Sequence, residues 1–438
     1  MHVNEYFKGK KITLMRLGLL GRGVQDAAFL ATCGAEVLVV DDAPQAVMQP
    51  SVDALKEFPN IRFKFGAYDL HDFEHADLVV KGAGAPLDSP EIAQAKKHGV
   101  SVRMSADLFA ELSHSMIVGI TGTRGKSTVT HALYAILKMA GKKVLLGGNI
   151  RGVSTLALLA EATPEHIAVL ELDSWQLQGF GEAKISPSIA ICTTLYADHQ
   201  NYYKDNPDAY LTDKANIFLY QKPDDTLILG RQCAPTIIDR YGEMIASKIS
   251  VVDELKLPDT WTLSIPGMHN RYNAALALAA ARVLGIADTT SRKALQSFAG
   301  VPGRLEFIRE IAGVSFYNDT TATTPEATLA ALAAIAPSRV ILIMGGADKN
   351  LDMSALTARL PEVKNVLLLA GTGTDRIRPL FPDWSVYTDL SSALAAARLQ
   401  AVSGDTIMLS PAFASFGMFK NEFDRGDQFV KLVQELPQ

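Results

Sequence analysis

Residues 116–149 read MIVGITGTRGKSTVTHALYAILKMAGKKVLLGGN, and this stretch decides the fold. The apolar run MIVGI predicts a buried strand, and a glycine-rich turn follows it. STVTHALYAILKMAG then has helical spacing and a glycine stop, and KKVLLGGN opens another strand. Strand, turn, helix and strand in this order belong to a parallel sheet with crossover helices. The turn Gly122-Thr123-Arg124-Gly125-Lys126-Ser127-Thr128 carries the chemistry. Its glycines let backbone N–H groups face phosphate oxygens, and the helix start adds partial positive charge. Lys126 supplies a mobile cation, and the Ser127 hydroxyl can ligate Mg²⁺. The longer G-x-x-x-x-G-K-[ST] spacing fails because residue 120 is Ile, while the tighter glycine–lysine–serine turn survives in its strand–loop–helix setting. The competing reading is a plain turn with a solvated lysine.

The alternation extends both ways from this unit. Upstream, KITLMRLGLL, EVLVVDD and ADLVVKGAG read as strands, with GRGVQDAAFLATCG and SPEIAQAKKHG as helices. Arg16-Leu17-Gly18-Leu19-Leu20-Gly21-Arg22-Gly23 resembles a dinucleotide fingerprint, but Arg16 holds the first glycine position. It reads as a phosphate- or nucleotide-contacting loop rather than an NAD site. Downstream, IAVLELDSW and SIAICTTLY continue the central sheet. A further restart at VSFYNDT leads to strands RVILIMGGA, NVLLLAG and DTIMLSP, and VPGRLEF (301–307) reads as a linker. The expectation is an α/β chain of three domains, each a doubly wound, Rossmann-like or P-loop, mostly parallel sheet. Their ranges are 1–112, 113–300 and 301–438.

Composition narrows the function. The 438 residues are 48% hydrophobic and 20% charged, which is ordinary for a globular α/β protein. A net charge of −5 and a pI near 6.0 argue against nucleic acid or an anionic membrane as partner. Cys33, Cys192 and Cys233 form neither a C-x-x-C pair nor a disulfide framework, as in a reducing compartment. The opening MHVNEYFKGKK lacks an apolar core, and no apolar stretch reaches membrane-span length. A cytoplasmic location follows as an expectation.

The motifs in series resemble the Mur ligases of peptidoglycan synthesis. After the phosphate loop come Gly147-Gly148-Asn149-Ile150, Leu170-Glu171-Leu172-Asp173-Ser174-Trp175-Gln176-Leu177 and Asp198-His199. Gly267-Met268-His269-Asn270, Asn273, Pro302-Gly303-Arg304, Asn318-Asp319, Ala322-Thr323, Gly345-Gly346, Lys349 and Leu409-Ser410-Pro411-Ala412 with Ser415 continue the series. The likeness covers nearly the whole chain and is greatest to the glutamate-adding members. It implies an ATP-dependent, ADP-forming ligase that joins D-glutamate to UDP-N-acetylmuramoyl-L-alanine through an acyl phosphate, acting as a monomer. The same ligation with L-glutamate, or another Mur-type or folylpolyglutamate-type ligation, is the alternative.

The resemblance also implies roles. Gly122, Thr123, Arg124, Gly125, Lys126, Ser127 and Thr128 would hold the ATP phosphates. Asn270 and Asn273 would meet adenine, Arg304 the phosphates and Asp319 the ribose. Ser127 and Glu171 would bind one Mg²⁺, and His199 with a carbamylated Lys214 a second. From the residues alone, Lys214 reads as a surface lysine paired with an acid. Asn149, Ser174 and Gln176 fall near the muramoyl peptide; Thr323, Lys349 and Ser415 fall at the amino-acid site. Several positions depart from the family pattern: Arg124 for asparagine, Asp173 for serine, Thr321 for lysine, Gly417 for aspartate, Asp42-Ala43 for Thr-Arg, and Glu422-Phe423 in reversed order.

Overall fold

The computed structural model describes residues 3–18, 21–196, 200–203, 206–265 and 267–437. Strands β1 (Lys11–Met15), β2 (Glu36–Asp41), β3 (Ile61–Phe65), β4 (Leu78–Lys81) and β5 (Ser101–Arg103) form an all-parallel sheet in the order β3-β2-β1-β4-β5. Strands β6 (Met116–Thr121), β7 (Val144–Gly148), β8 (Ile167–Glu171), β9 (Ile189–Cys192), β10 (Thr226–Gly230) and β11 (Lys248–Val252) form a second, in the order β11-β10-β9-β6-β8-β7, also parallel. The third holds β12 (Glu306–Ile311), β13 (Val314–Asn318), β14 (Val340–Gly345), β15 (Asn365–Leu369), β16 (Val386–Tyr387) and β17 (Thr406–Leu409) in the order β12-β13-β17-β14-β15-β16. Only its β12–β13 pair is antiparallel. The doubly wound α/β architecture expected from the alternation is therefore present in three sheets.

The described residues pack as two compact units. One comprises Met1–Lys256 with Ala275–Ser291 and carries the first two sheets; the other comprises Leu257–Ala274 with Arg292–Gln438 and carries the third. The third sheet starts earlier than VSFYNDT: Glu306 and Phe307, inside the stretch read as a linker, open β12. That strand, EFIREI, intersperses Glu306, Arg309 and Glu310 with its apolar residues and leaves Phe307 and Glu310 exposed at a sheet edge, so it has no apolar run to announce it. Strand β3, with Arg62 and Lys64, escaped sequence reading for the same reason.

Each strand's apolar residues pack against crossover helices. In the first unit a single cluster runs from Leu14, Val39 and Leu30 through Phe109 to Leu170 and Phe180, so the first and second sheets share a core. In the second unit, Leu342, Leu368 and Met408 face one helical layer, and Ile343, Leu367 and Phe429 the other. One polar knot sits within the first unit's packing. Asp26, on the helix Arg22–Thr32, accepts hydrogen bonds from Ser105 Oγ at 2.9 Å and from Ser154 Oγ. Burial pushes its carboxyl up to about 6. Among the described residues no helix is long and apolar enough to cross a membrane.

Candidate active site

Ligands of open parallel sheets lie beyond the carboxyl ends of the strands, where the winding direction changes. In the second sheet that place is β6, flanked by β8 and β9, with Ile120 beside Glu171 and Thr121 beside Cys192. The glycine-rich turn leaves β6 here and enters the helix Lys126–Met139 at Gly125, whose φ of 88° is left-handed. Gly122, at φ 139°, has no room for a side chain: a Cβ would lie 2.0 Å from Thr193 Oγ1. The residues after β9 fasten the turn. Thr194 O accepts from Thr123 N at 2.8 Å, Thr194 Oγ1 accepts from Arg124 N at 2.9 Å, and Thr193 Oγ1 donates to Arg124 O at 2.5 Å. Sequence reading missed this Thr193-Thr194 fastening, because its signal is only two hydroxyls at a strand end.

Two lysines converge on the turn. Lys126 Nζ donates to Gly122 O at 2.9 Å and to Thr123 O at 3.2 Å. Lys214, on the helix Pro207–Ala215, donates to the same Gly122 O at 3.1 Å and to Thr121 Oγ1 at 3.3 Å, with the Tyr210 ring 4.7 Å away. It is only 3% exposed, which overturns its reading as a surface lysine. Ser127 is buried in the helix's first turn. Glu171 ends β8, is 3% exposed, and accepts no side-chain hydrogen bond from a described residue. A hydroxyl with a carboxylate is a hard oxygen donor set. These residues thus fit Mg²⁺. His199 lies outside the described residues. Thr128 continues the helix, and Arg124 is exposed at the turn's tip.

The departure at Asp173 has a local cause. Asp173 caps the helix Ser174–Ala183: its Oδ1 accepts from Gln176 N at 2.8 Å, while Gln176 Oε1 accepts from Asp173 N at 3.2 Å. Aspartate and serine serve equally at this position, so the replacement keeps the cap. The Gln176 side chain completes the cap through the backbone N–H of Asp173. Ser174, beside it, is 1% exposed. Asn149, just past β7, accepts from Arg22 Nη1 at 2.9 Å, so a helix of the first sheet reaches this loop. At the end of β1, Arg16 itself adopts φ 69°, the conformation a glycine would supply there, and its guanidinium pairs with Asp42 at 3.4 Å.

In the second unit, β13, β17 and β14 are neighbours, so the loops that follow them share one sheet edge. Thr323, Ser415 and Lys349 lie on those three loops. Lys349 Nζ donates to Thr323 Oγ1 at 2.9 Å, and an Ala347–Ala414 bridge ties the β14 loop to the β17 loop beside the buried Ser415. Sequence reading missed the brace beneath them. Arg425 is fully buried; its Nη2 donates to Thr320 O at 2.8 Å, its Nε to Thr320 Oγ1 at 3.1 Å and its Nη1 to Phe413 O at 3.3 Å. Burial lowers its guanidinium to about 10. Thr321 Oγ1 donates to Gly303 O at 2.9 Å, and Gly417 has a φ of 94° that an aspartate would strain. Glu422 opens the helix Glu422–Gln434, where an acid suits the dipole.

The remaining expected nucleotide contacts also lie in this unit. Asp319 is buried and its carboxylate is engaged by Leu305 N at 2.9 Å and Ser410 Oγ at 2.7 Å; burial raises it to about 7. Asn273 Nδ2 donates to Asn270 Oδ1 at 3.4 Å, with both residues buried on the helix Met268–Val283. Arg304 is exposed in the turn before β12.

The glycine-rich lysine–serine turn at the second sheet's switch point has the make-up of a nucleotide-phosphate site, and the third sheet carries its own lysine–hydroxyl edge. Comparison with known proteins makes this specific. The Mur ligase middle domain matches residues 120–254, and the Mur ligase glutamate ligase domain matches residues 303–413. A UDP-N-acetylmuramoylalanine–D-glutamate ligase from Roseiflexus sp. (strain RS-1) is 36% identical, over 97% of this chain and 98% of that protein. A protein of the same name from Geobacillus kaustophilus is 32% identical over the whole of both chains. Among solved structures, a MurF ligase from Thermotoga maritima in complex with ADP aligns with a TM-score of 0.60 and 15% identity, over 99% of this chain and 96% of that one. The UDP-N-acetylmuramate–alanine ligase of the same organism gives 0.59 at 18%, over 97% and 99%. The chain belongs to the Mur ligase family of ATP-dependent, amide-bond-forming enzymes.

Proposed function

We propose that this chain joins D-glutamate to the carboxylate of UDP-N-acetylmuramoyl-L-alanine at the expense of ATP, in peptidoglycan precursor synthesis. Full-length similarity to relatives of that name supports the substrates. The observation that carries the chemistry is the fastened phosphate loop, with Lys126 and Lys214 both directed at Gly122 O. The first sheet is assigned to the uridine nucleotide, the second to ATP and the third to the amino acid, in ranges 1–112, 113–300 and 301–438. The enzyme acts as a cytoplasmic monomer, without nucleic acid or membrane.

In the proposed reaction the muramoyl-alanine carboxylate takes the terminal phosphoryl group of ATP, and the glutamate amine displaces phosphate from the acyl phosphate. Lys126 exchanges the Gly122 and Thr123 carbonyls for phosphate oxygens, which places a cation on charge that moves during transfer. Thr123 N and Arg124 N are committed to Thr194, so the phosphates fall to the N–H groups at the helix start, Gly125, Lys126 and Ser127, in a turn that Thr193 and Thr194 hold in place. Ser127 and Glu171 would hold one Mg²⁺, and His199 with a carbamylated Lys214 would hold a second; when bound, the ions would neutralise triphosphate charge. Lys349, Thr323 and Ser415 receive the carboxylates of glutamate, braced by Arg425.

Phosphate release from ATP, Mg²⁺ and UDP-N-acetylmuramoyl-L-alanine with either glutamate isomer tests the reading. Turnover with D-glutamate alone is expected. Silence with both isomers would refute it, and turnover with L-glutamate alone would reassign the substrate.

A further inference from the structure

The segment His71-Asp72-Phe73-Glu74-His75 joins β3 to β4 through one helical turn, His71–Glu74. Phe73 is fully buried and anchors this turn in the core beside Val79 and Ile92. Residues three and four apart on a helical turn share a face, so His71, Glu74 and His75 stand together on its other side. His71 Nδ1 lies 3.0 Å from Glu74 Oε2, and His75 Nε2 lies 4.0 Å from the same oxygen. The two imidazoles are nearly parallel, at 5° and 6.2 Å between centroids. One potential ligand atom from each residue fits within a span of 4.8 Å.

We propose that His71, Glu74 and His75 form a zinc-binding site on the first sheet's domain. Tetrahedral bonds of about 2.0–2.1 Å set ligand atoms about 3.3 Å apart, so the widest gap need close by only about 1.5 Å. The imidazoles can supply that movement, because their side chains are 76% and 80% exposed. The carboxylate is already held. Glu74 is 13% exposed, and Gln94 Nε2, from the helix Pro90–Lys97, donates to its Oε1 and leaves Oε2 facing the imidazoles. A partner of this kind behind a ligand is what orients metal sites. Lys64, on β3, is engaged elsewhere: its Nζ pairs with Asp72 at 2.6 Å and with Asp69 at 3.7 Å. Two imidazoles and one carboxylate suit Zn²⁺ far better than Mg²⁺ or Ca²⁺, and water completes the shell. Bound zinc closes the β3–β4 connection and stabilises the folded chain by mass action.

Calorimetric titration of the full chain with ZnCl₂, in excess Mg²⁺ and a non-chelating buffer, tests the site. One equivalent should bind and raise the unfolding temperature. His71→Ala/His75→Ala should lose both effects while keeping its circular dichroism and its zinc-free phosphate release. Gln94→Ala should bind with unchanged stoichiometry and about tenfold weaker affinity. Absence of zinc binding by the unsubstituted chain would overturn the proposal, as would undiminished affinity in the double variant. Both readouts stand whether or not the glutamate-ligase reading does.

Discussion

Lys126 and Lys214 donate to one and the same oxygen, the carbonyl of Gly122, at 2.9 and 3.1 Å. Two ammonium groups sharing one acceptor repel each other, and the arrangement is relieved when an anion arrives or when one amine changes charge.

Removing the first lysine should abolish chemistry and spare the fold. Lys126 is only half-buried, and its Nζ contacts are loop carbonyls rather than core. Lys126→Ala should lower kcat at least about a hundredfold. Its unfolding temperature should match that of the parent, as read by differential scanning calorimetry.

Lys214 separates from Lys126 by its chemistry. A carbamate would exchange its positive charge for an oxygen anion, a hard donor suited to Mg²⁺. With ¹³C-bicarbonate, the parent protein should show a carbamate resonance that Lys214→Met lacks, and added bicarbonate should not restore the variant's activity. A parent spectrum without that resonance would dispose of the carbamate.

The cap at Asp173 predicts a graded series. Asp173→Ser keeps an acceptor for Gln176 N and should leave thermal stability nearly unchanged. Asp173→Ala removes it and should cost about 1 kcal/mol. If serine proves as costly as alanine, the carboxylate's charge rather than its capping geometry is what matters there.

Asp26 sets a pH dependence. Its native carboxyl is raised to about 6 by burial, whereas an unfolded aspartate titrates near 3.9. Between those values the unfolded chain has released a proton that the native chain keeps, so stability falls as pH rises through this window. In Asp26→Asn the loss between pH 4 and 7 should be shallower by up to about 3 kcal/mol, checked by denaturant unfolding at several pH values.

How much of this was legible in the sequence follows from where the physical signal resides. Apolar strands such as β6, β8 and β14 announce themselves because both faces are buried, and the turn at Gly122–Ser127 does so because few residue types can build it. Strands β3 and β12 stay hidden, since an edge strand has one wet face and charged residues on it. The site divides in the same way. Lys126 and Glu171 occupy a loop and a strand end that local pattern reveals, while Lys349 is reached only through the family resemblance. Arg425 is 105 residues from Thr320, whose loop it ties to the Phe413 loop, and a buried arginine on a helix looks from the sequence like a solvated one. Gln176 and Asp319 read as ligand contacts, yet their side chains are occupied by a cap and by a turn.

The threonine pair after β9 has one more consequence. Because neighbouring hydroxyls already lock the socket's outline, little ordering is left for an incoming polyphosphate to impose. Tripolyphosphate, stripped of base and sugar, should therefore still compete for the socket, and its grip should loosen steeply with added salt rather than with temperature-driven disorder.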